Sequence, residues 1–93
     1  MATKRKRKQA LYSGGNGESL ETAIIIGAKS TSTGVPAEYD YIIGKHGPAN
    51  VRWKLISQRL RESAGRDYDI LNIELDNGEK RSYYFDITEF FCK

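Results

Sequence analysis

Residues 67–87 read DYDILNIELDNGEKRSYYFDI, and this stretch leaves the backbone little freedom. Leu71, Ile73 and Leu75 alternate with polar residues, and so do Tyr83, Phe85 and Ile87. Side chains on a strand point to opposite faces in turn, so each run offers one apolar face. Asp76-Asn77-Gly78 between them is a hairpin signal, because asparagine and glycine accept the left-handed backbone that tight turns need. Loop length then decides the register. A two-residue loop at Asn77-Gly78 pairs odd positions with even ones and splits the six apolar side chains between two faces. A three-residue loop over 76–78 pairs odd with odd and gathers all six on one face. A slip of one residue turns a whole strand over, so the pattern predicts the three-residue loop, with Gly78 left-handed.

The preceding stretch, NVRWKLISQRLRE, is ambivalent. Trp53, Ile56 and Leu60 recur at helical spacing, whereas Val51, Trp53 and Leu55 alternate. The following SAGR is a short turn of the kind that joins neighbouring strands. That favours a strand over 51–62, with a bulge near Ile56-Ser57 that shifts the apolar side.

Two helices are expected before it. In SLETAIIIGAK, Leu20, Ala23, Ile24, Gly27 and Ala28 form an apolar stripe at helical spacing, with Ser19 as cap. The β-branched run Ile24-Ile25-Ile26 pulls towards a strand, but the stripe predicts a helix over 19–29. A second helix over 36–46 has Pro36 in its first turn, Lys45 and His46 in its last, and Gly47-Pro48 as its stop. The fold expected is α+β, with both helices on one face of a three-stranded antiparallel meander, in the order α-α-β-β-β. A short terminal turn follows, with Thr88 as cap and Phe90 or Phe91 folded back on the core. Residues 1–18 are expected to be a disordered basic, glycine-rich arm, and 19–93 the single domain.

Charge is unevenly placed. The 93-residue chain carries +3, from 15 basic and 12 acidic residues, but five of the cations are Lys4, Arg5, Lys6, Arg7 and Lys8. Without them ten basic residues face twelve acidic ones, a net −2. Within the domain, 45–66 is basic and 67–93 acidic. The separation suits either a functional dipole or strands that neutralise each other across a sheet.

Catalytic motifs are missing. His46 is the one histidine and Cys92 the one cysteine. The histidine fits a helix C-terminus, and the cysteine lies in a poor place for an oriented nucleophile. GAKSTSTG at 27–34 lacks the upstream glycine and the Gly-Lys order of a phosphate loop. No enzyme activity, metal or cofactor is therefore expected. A single cysteine allows no internal disulfide and suits a reducing compartment. With no apolar run after the basic head and no membrane-length span, a cytoplasmic location is expected, or a nuclear one in a eukaryote.

Two binding functions remain. If Tyr83 and Phe85 face the helices, then Tyr68, Ile70 and Tyr84 share the outer face of the sheet, where tyrosine suits a protein partner or self-association. The alternative is nucleic acid, held by Lys4–Lys8 together with Arg52, Lys54, Arg59 and Arg61 beside Trp53. Arginines clustered on one open surface would favour nucleic acid. Arginines paired with the acids of 67–93 would favour protein contacts.

Overall fold

The computed structural model describes residues 11–91. It shows β1 (Tyr12–Gly14), β2 (Ile24–Ile26), α1 (Thr31–His46), β3 (Trp53–Ser63), β4 (Arg66–Leu75) and β5 (Lys80–Asp86). All five strands form a single mixed sheet in the order β1-β2-β5-β4-β3, with β2 parallel to β5 and the other neighbours antiparallel. The expected pair of helices on a three-stranded meander is thus corrected to one helix on a five-stranded sheet.

The helix expected over 19–29 does not form. Ile24–Ile26 is β2, with Ile24 and Ile26 fully buried. Branched side chains lose rotamer freedom in a helix and pack well on a pleated surface. Here β5 offers them an edge, with Ile24 opposite Phe85. The residues before β2 form a tight loop. Gly15 N–H bonds to the Ala23 carbonyl at 3.1 Å and Gly17 N–H to the Thr22 carbonyl at 2.7 Å. At Gly15 any Cβ would fall 2.4 Å from the Thr22 carbonyl oxygen, so the approach requires glycine. The SGGNGE segment, assigned to the arm on sequence grounds, therefore runs along the sheet: the Gly17 carbonyl accepts the Tyr84 N–H at 2.8 Å. Lys4–Lys8 and Cys92 lie outside the described residues.

α1 begins five residues before the expected start, so Pro36 sits inside the helix rather than in its first turn. Ser30 leads in with extended backbone, and its carbonyl accepts the Gly34 N–H at 2.8 Å. The buried positions Gly34, Ala37, Glu38 and Ile42 recur at three- and four-residue spacing, so one stripe faces the sheet. Tyr41 on the same stripe packs edge-on against Tyr12, Tyr83 and Phe85. Phe90, in the turn after β5, is buried against Gly34, where a Cβ would stand 2.4 Å from its ring. The expected C-terminal stop holds: Gly47 ends the helix at φ 101°, its N–H bonded to the Ile43 carbonyl.

The meander follows the sequence reading closely. Leu71 pairs with Tyr83 and Ile73 with Arg81, odd with odd. Gly78 is left-handed at φ 90°, and its N–H closes the loop on the Leu75 carbonyl at 2.9 Å. Leu71, Ile73, Tyr83, Phe85 and Ile87 are all buried, in one core with Ile24, Ile26 and Ile42. Burying side chains of this size contributes about 1.5–3 kcal/mol each before the entropy of ordering is subtracted. A register shift between Leu55 and Ser57 marks the expected bulge. β3 and β4 are joined by Ala64 and Gly65, both at positive φ (52° and 80°), the backbone of a two-residue primed turn.

Candidate binding surface at the uncovered edge of the sheet

α1 lies nearest β2 and leaves the far edge of the sheet bare. That edge is β3. Its first residue, Trp53, is buried, but every residue from Lys54 to Glu62 is exposed. Leu55 is 37 %, Ile56 49 % and Leu60 59 % exposed. Two further exposed apolar residues, Val35 and Ile43, lie on α1 four residues either side of Tyr39. Tyr39 stacks on Trp53 with ring centroids 6.3 Å apart, so this flank of the helix is the one turned towards β3. Among the described residues no strand pairs with the free edge of β3, and only Trp53 is bridged there, to Ala49.

Register assigns the two faces of this edge. Leu55 opposes Ile73, Gln58 opposes Leu71 and Leu60 opposes Asp69, so these three share the helix side. Lys54, Ser57, Arg59 and Arg61 oppose Glu74, Asn72, Ile70 and Tyr68 on the outer side. Tyr84 pairs with Ile70 on that same side, so Tyr68, Ile70 and Tyr84 do share the face away from the helix. Ile70 is only 6 % exposed there, while Tyr68 and Tyr84 are half-buried beside it. A chain of short hydrogen bonds crosses the same face, from Ser82 to Asn72 (2.5 Å) and from Asn72 to Ser57 (2.9 Å).

The basic segment divides in two. Arg52 pairs with Asp76 at 3.1 Å and Lys54 with Glu74 at 3.9 Å, acids of the 67–93 stretch. Arg59 and Arg61 make no ion pair among the described residues and stand beside Tyr68 and Ile70 on the open face. Arg66 bonds to buried Asp86 at 2.5 Å. Burial alone would raise the Asp86 carboxyl, but the Arg66 guanidinium and two donors from Thr88 hold it below its ordinary range.

On the helix side of the sheet lies a group that the sequence reading missed. Glu38 is 1 % exposed and neither carboxyl oxygen has a hydrogen-bond partner among the described residues. It faces Asp69, also buried, whose two oxygens accept Gln58 Nε2 at 3.0 and 2.8 Å. Burial first, then the neighbouring Asp69 carboxylate, push the Glu38 carboxyl up to about 10. It is therefore protonated at neutral pH beside the Asp69 carboxylate. The signal was present: Asp69 alternates with Leu71 and Ile73, which places it on the buried face, and Glu38 follows Ala37 on the helix stripe.

His46, the expected helix-end residue, also bonds to the Tyr83 hydroxyl through Nε2 at 2.8 Å. Burial, with Arg81 and Lys45 nearby, lowers its pKa. An open pocket of about 340 Å³ lies between the start of β3 and the end of β4, walled by Val51, Trp53, Lys54 and Leu75. Among the described residues no three His, Cys, Asp or Glu side chains gather as a metal-binding group, and no helix is long and apolar enough to cross a membrane. Comparison with protein-family models, curated proteins and solved structures gives no match.

Proposed function

We propose that the protein is a non-enzymatic binding module that works through protein contacts, and that the contact surface is β3 with the adjoining flank of α1. The supporting observation is the bare edge itself. Strand edges carry unpaired backbone groups, and long apolar ones invite pairing unless they are covered. Beyond Trp53, whose backbone is bridged to Ala49, this one runs from Lys54 to Glu62 with Leu55, Ile56 and Leu60 exposed, beside Val35 and Ile43 on the helix. Tyr68 and Tyr84 extend the surface round to the outer face, where Ile70 contributes packing beneath them rather than area. A cytoplasmic site of action fits the single cysteine.

The test is site-specific photo-crosslinking in the source cell. A photoreactive side chain at Leu60 should give protease-sensitive adducts, and the same group at Glu21, near the opposite edge of the sheet, should not. Equal labelling at both positions, or none at Leu60, would refute the reading.

One observation favours a second reading. Arg59 and Arg61 stand without ion-pair partners among the described residues beside Ile70 and Tyr68, with Tyr84 one strand further on the same face, an arrangement on which single-stranded nucleic acid could stack. Lys4–Lys8 would add phosphate contacts. Nuclease-sensitive adducts at Leu60 would support this reading, as would salt-steep oligonucleotide binding lost in Tyr84→Ala.

A further inference from the structure

We propose that β3 receives an extended peptide segment as an additional strand, and that this segment alternates acidic with apolar side chains. The inference rests on the protein-binding reading above and specifies the partner's chemistry. The bulge at Ile56 interrupts the ladder, so the regular stretch available for pairing is 57–63. Along it the outer face carries Arg59 and Arg61, and the helix face carries Leu60. An added strand places successive side chains on alternate faces. Those on the outer face would meet two guanidinium groups that no carboxylate of the described residues neutralises. Those on the helix face would lie against Leu60.

The same cations argue against a second copy as the occupant. Two β3 strands pairing antiparallel about Leu60 would set Arg59 of each chain opposite Arg61 of the other, and centring one residue earlier would set Arg59 against itself. Like charges directly opposite destabilise a strand pair. The side chains that guard the edge against self-pairing thus leave it open to an acidic segment.

Fluorescence anisotropy with labelled peptides of about eight residues tests this directly. A glutamate–isoleucine alternating peptide should bind the full chain, and its lysine–isoleucine counterpart should not. The double variant Arg59→Glu, Arg61→Glu should weaken the first peptide about ten-fold or more and bring up binding of the second. N-methylating alternate amides on the pairing edge of the glutamate peptide should abolish binding with its charge intact. Equal binding of both peptides, indifference to N-methylation, or a dimer in light scattering that the glutamate peptide does not dissociate would overturn the inference. So would a thymidine oligonucleotide binding where neither peptide does. Protein adducts at Leu60 in the cell without peptide binding would retain the protein-binding function and remove only this partner.

Discussion

Replacing Glu38 with glutamine should make the protein more stable at neutral pH, although the side chain is fully buried. In the folded protein its carboxyl keeps a proton up to a pH of about 10, against an ordinary value of 4.5. Between these values the unfolded chain has lost a proton that the folded chain holds. Stability therefore falls as pH rises, by about 1.4 kcal/mol per pH unit. The full contribution is present below the unfolded value and is lost progressively towards the folded one. At pH 7 the loss is about 3 kcal/mol, a large share of the stability of so small a domain. Glutamine has no proton to lose, and its amide offers the Asp69 carboxylate a donor that stays in place at every pH. Urea denaturation of both proteins at pH 4.5, 7 and 9 should show similar stabilities at the lowest pH and a gap in favour of Glu38→Gln that widens above it. A gap that stays constant with pH would mean that Glu38 is not protonated in the folded state. A variant less stable by the same amount at every pH would mean that the carboxyl is held by partners other than Asp69.

Other substitutions probe the fold at separate points. Gly78→Ala forces a side chain into left-handed backbone in the 76–78 loop and should cost about 1 kcal/mol or somewhat more, read by thermal melting. Asp86→Asn removes the carboxylate held low by Arg66 and Thr88; its destabilisation should be present at neutral pH and shrink as pH falls below about 4, where the unfolded wild-type chain takes up a proton that the folded carboxyl, held lower, still refuses. Gly34→Ala should displace Phe90, seen as a loss of amide protection over 87–91 in hydrogen exchange.

The meander was legible because two independent signals, alternation and turn chemistry, agreed on one register. The end of α1 was legible for a similar reason, with Lys45, His46, Gly47 and Pro48 all indicating a stop. Its start was not, since Thr31-Ser32-Thr33 are poor helix formers and Pro36 suggested a first turn that lay further upstream. Residues 19–29 were misread because a short apolar window fits two periods. What decided it was the free edge of β5, which local sequence cannot show. Tyr68, Ile70 and Tyr84 could be assigned a common face by counting residues. The exposure of Leu55, Ile56 and Leu60 could not, because it depends on α1 lying over β2 rather than over β3. The burial of Glu38 and of Asp69 was each legible from its own periodicity, but their meeting joins a helix to a strand across the core, and pairing of that kind has no local signature.

The parallel contact of β2 with β5 constrains how the chain can be made as well as how it is held. Ile24 meets Phe85, and Gly34 receives Phe90, so β2 and α1 each close on a partner at the far end of the domain. β3, β4 and β5 can zip together from adjacent turns, but such a meander alone leaves Leu71, Ile73 and Phe85 facing water. Contacts this distant in sequence form late and slowly. On a ribosome, β1, β2 and α1 would emerge first and wait without a core until residues 85–90 had cleared the exit tunnel. Ile24-Ile25-Ile26 is exposed throughout that interval, which makes this short strand the segment most in need of protection during synthesis.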